Sequence, residues 1–172
     1  MKKDLKKMQM NRVNFLWLLS FVLGLALIAP VVTNAQSGKA DFSGSWTFNE
    51  SKSNLGANGG GQRFGGGDFV AKQEANLLSV ERTFNDQTMT SKYTLDGKES
   101  VNSFGNGESK STATWSADGK SLTIVTKMTF NDTERTSTQV WTLSDPKTLS
   151  QESSRPNRDG VIEKTKRVYD KK

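Results

Sequence analysis

The side chains available for chemistry in this chain are few in kind, because the sequence contains no His and no Cys. A Ser-His-Asp or Cys-His triad, a histidine general base, a thiolate nucleophile, a structural zinc site and a disulfide all need one of these residues. Carboxylates, Lys, Tyr and hydroxyl groups remain. The composition therefore excludes the triad, thiol and zinc mechanisms and predicts neither a metal nor a cofactor.

Paired carboxylates are a catalytic arrangement that the composition still allows, as in glycosidases, where two acids about 5–10 Å apart flank the bond. The candidates Glu50, Glu74, Glu81 and Asp86 fall near turns or on polar faces, and no spacing singles out a pair. We therefore expect a protein without catalytic activity. A carboxylate-based hydrolase stays as an alternative.

The first 35 residues are typical of an export signal. Five basic residues precede an apolar run over 15–32, and Thr33-Asn34-Ala35 ends with a small residue. We predict a signal peptide over 1–35, cleaved after Ala35, which places residues 36–172 in the bacterial periplasm or outside the cell and limits membrane contact to export. The alternative is an uncleaved anchor, because a run of about 18 residues is long enough to span a bilayer.

The charge balance of the mature chain argues against a nucleic-acid partner. The net charge of +6 includes five basic residues and one acid in the first 35 positions, so the remaining 19 basic and 17 acidic residues give +2. A protein that binds a phosphate backbone shows a concentrated basic field. The basic residues near the C terminus are instead interspersed with acids.

Strand and turn signals repeat along the mature chain. It has only about 26 per cent apolar residues but 34 Ser plus Thr, a composition that alternating strands accommodate with polar residues on their outer face. Asx-Gly and related pairs between extended runs predict hairpins. The predicted strands are 44–48, 69–74, 78–84, 88–95, 99–104, 109–115, 121–130, 133–143, 148–153 and 161–169.

The short sequential connections favour one closed sheet. Alternation is clearest over 121–130, where Leu122, Ile124, Met128 and Phe130 share one face. Strands with one apolar face and short turns are typical of an up-and-down barrel, whereas a Greek key needs a long crossing connection. We predict an all-β, antiparallel up-and-down meander that closes into a lipocalin-like β-barrel of about eight to ten strands, in a single domain over 36–172.

A glycine-rich segment over 49–68 is the one long predicted connection. No Gly-Lys-Ser/Thr follows it, so it does not predict a phosphate-binding loop. Loops of this length are either functional or disordered. We interpret it as a flexible loop, either simply disordered or acting as a lid over a ligand, with Arg63-Phe64 at its centre.

Several stretches carry a family resemblance. The opening Phe42-Ser43-Gly44-Ser45-Trp46 resembles the Gly-x-Trp motif at the start of lipocalins and related calycin barrels. Together with the stretches 49–53, 93–98, 115–122 and 168–171, it makes most of the mature chain similar to small secreted bacterial proteins described as lipocalin-like. The resemblance implies that Gly44 and Trp46 close one end of the barrel and that Arg167, on the final strand, packs over Trp46.

Two functions suit such a barrel. In the first, the interior binds a small apolar or amphipathic molecule, since a barrel of this size either fills with side chains or holds one small ligand. In the second, the protein is an envelope structural or surface-interaction protein without an internal ligand. The sequence does not fix an oligomeric state. The inward residues expected to contact a ligand are Met89, Tyr93, Ile124, Met128, Phe130 and Trp141.

Overall fold

The computed structural model describes residues 38–56, 67–104, 107–130, 133–157 and 159–172. The predicted signal peptide and the central part of the glycine-rich segment, 57–66, lie outside these residues. In the described part of the chain, no helix is long and apolar enough to cross a membrane.

All the regular structure in these residues is β-strand, and each predicted strand is present. The strands are β1 Gly44–Asn54, β2 Phe69–Glu74, β3 Leu77–Phe84, β4 Gln87–Thr94, β5 Glu99–Phe104, β6 Gly107–Trp115, β7 Ser121–Phe130, β8 Thr133–Asp145, β9 Thr148–Pro156 and β10 Ile162–Lys171.

The strands form one antiparallel sheet in the order β4-β3-β2-β1-β10-β9-β8-β7-β6-β5. Every strand pairs with its neighbours in the chain except β4 with β5, and β1 pairs with β10, so the meander wraps round into a nearly closed ten-stranded barrel. Because successive turns alternate between the two ends, the β3–β4, β5–β6, β7–β8 and β9–β10 turns share one end, here called the open end. The β2–β3, β4–β5, β6–β7 and β8–β9 turns share the other, the closed end. The predicted meander is confirmed.

Turn chemistry sets the register of the hairpins. Asn85 and Asp86 both have positive φ, 47° and 60°, as a two-residue primed turn requires, and Asx residues tolerate this conformation best among non-glycine residues. Gly97, with φ of 79°, serves the β4–β5 turn. The predicted hairpin at Asn85-Asp86 is therefore confirmed, whereas Asp96-Gly97 forms a turn between two strands that do not pair through their backbones.

Strand β1 is longer than predicted and takes up the first six residues of the predicted 49–68 loop. Past an irregularity after Asn49, the chain stays beside β10 because side chains bridge the gap. The Ser53 hydroxyl donates to the Asn49 carbonyl at 2.6 Å and accepts the Val168 N–H at 2.9 Å. These local bonds hold a polar stretch extended although it has little apolar periodicity.

The hydrophobic core fills the closed end. Phe42, just before β1, is fully buried and stacks on Trp115 at 5.7 Å between ring centroids and an interplanar angle of 6°. Its carbonyl accepts the indole N–H of Trp46 at 2.9 Å. The remaining large buried side chains of this cluster are Phe69, Leu78, Leu122, Ile124, Trp141, Leu149 and Tyr169.

Burial falls steadily from the closed end to the open end. Along the inner face of β3, Leu78 is fully buried and Val80 nearly so, Arg82 is half-buried and Phe84 is 49% exposed. The same gradient runs along β9, from buried Leu149 to exposed Arg155. The barrel is therefore packed shut at one end and accessible at the other.

One boundary between strands differs from the rest. Nine neighbouring pairs are joined by backbone ladders, whereas β4 and β5, the two edges of the rolled sheet, are joined through side chains. Asn102 on β5 accepts the Lys92 N–H at 2.7 Å and donates to the Lys92 carbonyl at 3.0 Å. The Ser100 hydroxyl accepts the Thr94 N–H at 2.8 Å. We call this boundary the seam.

Candidate ligand-binding site inside the barrel

A layer of polar side chains lies inside the barrel, between the core and the open end. Strand register places its members on the inner face: Arg82 follows Val80, and Arg167 lies opposite Gln151, which lies opposite Trp141. Apolar residues would be expected at inward positions of a closed barrel. We call this group the polar layer, and it consists of Arg82, Gln151, Ser153 and Arg167.

Three hydrogen-bonding atoms, one each on Arg82, Gln151 and Ser153, are buried without partners in the described part of the chain. Arg82 Nη1, Gln151 Nε2 and Ser153 Oγ are inaccessible to solvent and make no hydrogen bond within the described residues. Gln151 is 1% exposed as a whole. Buried polar groups are nearly always paired, so unpartnered ones call for a ligand, a water or an ion. Two of these three atoms can only donate, so an acceptor would satisfy them.

Positive charge is concentrated in the polar layer. Burial lowers the pKa of the Arg167 guanidinium, an effect that Tyr169 opposes. The nearby charges of Arg155 and Arg82 lower the same pKa further. Burial and like-charge repulsion both disfavour a charged group. The interior would therefore be stabilised by a negative charge.

The two tyrosines of the chain lie beside these cations. Burial raises the pKa of Tyr169, while Arg82, which donates a hydrogen bond to its hydroxyl, and Arg167 oppose that rise. Burial also raises the pKa of Tyr93, and a hydrogen bond with Ser91 and the charge of Arg82 oppose it. Both phenols are therefore neutral at physiological pH, and each hydroxyl can donate a hydrogen bond to an acceptor. Arg82 is further held by Phe69, whose ring centroid lies 4.4 Å from the guanidinium carbon.

An apolar collar lies above the polar layer at the open end. Its described members are Phe84, Met89 and Met128, of which each methionine is 38% exposed. Strand pairing places Met89 opposite Arg82 and Met128 opposite Ser109. Apolar side chains are thus partly exposed to solvent directly beside the half-buried Arg82.

The predicted ligand contacts divide between this region and the core. Met89 and Met128 lie in the collar, and Tyr93 lies beside Arg82. Ile124 and Trp141, at 2% and 1% exposure, are part of the packed core. The backbone of Phe130 ends β7 at the open end, but its side chain is outside the described part of the structure.

The cation that packs over Trp46 is Lys171 and not Arg167, the cation that the family resemblance implies. Trp46 is 1% exposed, and the amine of Lys171 lies 5.4 Å from the ring centroid. Arg167, the expected partner, lies four residues earlier, in the polar layer. Gly44 has a φ of 145°, and a Cβ at this position would collide with the Lys171 side chain. The absence of a side chain at Gly44 therefore lets Lys171 lie over the Trp46 ring.

Sequence reasoning missed Arg82 and Gln151. Arg82 stood out only as an interruption in the apolar face of β3, and Gln151 lies in a stretch without large apolar residues. The sequence does contain a signal for both residues, because Arg82 and Gln151 each fall on an inward position of an alternating strand, where an apolar residue is expected. No group of three or more acidic side chains that could hold a metal ion occurs among the residues with defined positions.

Two grooves lie on the outer wall rather than inside the barrel. One, of about 320 Å³, is bordered by Asp68, Glu81 and Lys172, and the other, of about 390 Å³, by Glu152, Lys164 and Lys166. Their charged side chains are solvated, and pairs such as Lys172–Asp68 and Lys166–Glu152 neutralise one another. Both grooves are lined by solvated charges, so the barrel interior, with the buried unpartnered donors of Arg82 and Gln151, is the better candidate site.

Comparisons with known proteins yield structural similarity alone. No protein-family model matches the chain, and no curated protein matches it. Among solved structures, 91 chains match. One is the crystal structure of a mutant of the fluorescent protein UnaG, with a TM-score of 0.49 and 18% identity, covering 76% of this chain and 96% of that chain.

Proposed function

We propose that this protein is an exported, lipocalin-like binding protein whose barrel holds one small amphipathic molecule with an anionic end. One observation carries the proposal: Arg82 Nη1 and Gln151 Nε2, at inward positions of β3 and β9, are buried donors without an acceptor among the described residues. The charges of Arg155 and Arg82 also disfavour the charged form of Arg167. A bound anion converts the repulsion into attraction.

The donors in the polar layer fit an oxyanion. A guanidinium presents donors in a fixed fork that suits carboxylate or phosphate oxygens. Arg82 Nη1 and Gln151 Nε2 are both buried donors without acceptors. A carboxylate placed between them would satisfy both and accept from the neutral Tyr169 hydroxyl.

The collar supplies the apolar half of the site. Phe84, Met89 and Met128 lie between the polar layer and solvent at the open end. A ligand would therefore enter with its acid first and leave its tail among the flexible methionines, which adapt to irregular apolar shapes. An aliphatic chain of moderate length fits this arrangement.

The proposed protein is exported and binds its ligand without catalysing a reaction. The predicted signal peptide would deliver residues 36–172 to the periplasm or the medium, where a carrier of sparingly soluble molecules is useful. The polar layer consists of cations, an amide and a hydroxyl, a composition that suits binding rather than acid-base or nucleophilic chemistry.

Calorimetric titration of residues 36–172 with a matched series of ligands tests the proposal. Dodecanoate, dodecanol and dodecyltrimethylammonium share one tail and differ only in the charge of the head. We expect dodecanoate to bind at least about tenfold more tightly than dodecanol, the scale of one charge-assisted hydrogen bond. Equal affinity for all three would contradict an anion site.

Two arginine variants locate the binding site. Arg82→Gln should abolish the preference for dodecanoate over dodecanol. Arg135→Gln is the matched control, because Arg135 lies on the inner face of β8, opposite Met128, but is exposed to solvent. An unchanged preference in Arg82→Gln would place the anion elsewhere.

A further inference from the structure

The seam is the boundary between neighbouring strands that no backbone ladder joins in the described residues. Its bonds come from the side chains of two β5 residues, Ser100 and Asn102, acting on the backbone of Lys92 and Thr94. The other neighbouring pairs are joined by backbone ladders, which range from three residue pairs between β1 and β2 to ten between β7 and β8. Separating β4 from β5 therefore breaks no backbone ladder and fewer bonds than separating a long one.

The interior beside the seam is also weakly packed. The inward residues on β5 and β6 nearest to it are Ser100, Asn102, Ser109 and Ser111, which are small or polar and buried. Among the side chains with defined positions, no large core side chain comes from β5, and the nearest one on the other side of the seam is Tyr93 on β4. Moving β5 away from β4 would therefore expose little apolar surface from β5, and segments with few apolar contacts are those that open locally.

A ligand can enter the interior only if two neighbouring strands move apart or the open end widens. Tyr93 and Arg82 occupy the interior next to the seam and interact with each other through the charge of Arg82. Ladders on both sides keep β3 against β4 and β5 against β6. The boundary that can widen without breaking a ladder is the one between β4 and β5.

We propose that the barrel admits its ligand by opening at the seam, with Asn102 and Ser100 as the fastening that closes it again. This inference rests on the proposed function for the identity of the ligand. It assigns to Asn102 a role in ligand exchange that is separate from contact with the ligand.

A disulfide across the seam tests the inference. The Thr94 and Ser100 hydroxyl oxygens lie 3.2 Å apart, so a T94C/S100C variant brings two sulfurs within bonding reach in a chain that has no other Cys. The probe is dansyl-labelled undecanoic acid, followed by stopped-flow fluorescence. We expect association to be at least about tenfold slower in the oxidised than in the reduced protein, as for other gated sites.

The control is a disulfide in an ordinary ladder. Ser121 and Thr142, on β7 and β8, have hydroxyl oxygens 3.0 Å apart. S121C/T142C should show the same association rate in both redox states. Equal rates in oxidised and reduced T94C/S100C would overturn the gating role while leaving the binding function intact.

Hydrogen exchange of the ligand-free protein separates this inference from the binding function. The amides of Lys92 and Thr94 should exchange at least about tenfold faster than those in the β7–β8 ladder, through local opening. Equal protection would overturn the inference even if the probe binds. Fast exchange without probe binding would contradict the proposed function and the gating role while retaining the opening itself. Asn102→Ala, which needs no disulfide, should accelerate exchange at Lys92 further, and no acceleration would contradict the fastening role.

Discussion

The side-chain amide of Asn102 replaces a peptide group in its pairing with Lys92. Its Nδ2 donates to the Lys92 carbonyl at 3.0 Å, and its Oδ1 accepts the Lys92 N–H at 2.7 Å. A peptide group on a neighbouring strand would make the same two bonds. The Asn102 side chain therefore joins β4 to β5, the two strands that do not pair through their backbones.

Asn102→Ala should lower the free energy of unfolding by about 1–3 kcal/mol, because it leaves both backbone groups of Lys92 without their partners. Chemical denaturation measures this change. Ser103→Ala, an exposed neighbour on the same strand, is the control and should change stability by less than about 0.5 kcal/mol. If Asn102→Ala loses no more unfolding free energy than Ser103→Ala, the bonds between Asn102 and Lys92 do not stabilise the fold, which contradicts the account of the seam.

Arg167→Met should raise the thermal stability of the ligand-free protein, because burial and the charges of Arg155 and Arg82 disfavour the guanidinium. The same change should weaken dodecanoate binding. Arg135→Met, at an exposed inner position, should alter neither property. Thermal unfolding with and without dodecanoate measures both effects, and a destabilised, fully binding Arg167→Met would contradict the account of the polar layer.

The two tyrosines should resist ionisation in the folded state. Burial raises the pKa of Tyr93 and of Tyr169, so the neutral forms are favoured in the fold. Their contribution to stability is present below the ordinary tyrosine pKa of about 10 and is lost as the pH rises through the higher folded values. Because the chain contains only these two tyrosines, phenolate absorbance reports on them alone.

We expect this absorbance to rise above about pH 10 in the native protein and at about pH 10 in denaturant. Alkaline unfolding should accompany the native transition. Coincident midpoints for the native and denatured protein would contradict the burial of both phenols.

Phe42→Ala should cost about 3–5 kcal/mol, the range for a fully buried aromatic side chain. The ring packs between Trp115 and Trp141, with centroids 5.7 Å away in each case. Phe84→Ala, at the open end and 49% exposed, is the matched control and should cost less than about 1 kcal/mol. Equal losses in the two variants would contradict the assignment of a packed end and an accessible end.

Local patterns were enough to predict the architecture. Alternation along 121–130 and turn residues such as Asn85-Asp86 predicted strands and hairpins, because side-chain periodicity and positive φ are local properties. The end of β1 was harder to predict, since the segment after Asn49 stays extended through bonds that the Ser53 hydroxyl makes with the Asn49 carbonyl and with the Val168 N–H across the sheet. Such long-range partners are not visible in a local pattern.

The site could be predicted only in part for the same reason. Tyr93, Met89 and Met128 were identified from apolar alternation. Arg82 and Arg167 lie far apart in the chain, and only the closure of the barrel brings their charges together. The resemblance of the first strand to Gly-x-Trp barrels indicated a cation over Trp46, but register gave that position to Lys171.

Native mass spectrometry of the protein purified from its own envelope fraction tests the central claim most directly, when compared with the same sample after denaturation. The account predicts a protein mass corresponding to residues 36–172 and one additional small molecule, released on unfolding, whose formula includes an acidic group and an aliphatic portion. A released molecule that is cationic or wholly polar would contradict the anion site. A ligand-free mass from a sample that also fails to bind dodecanoate would contradict the binding function itself.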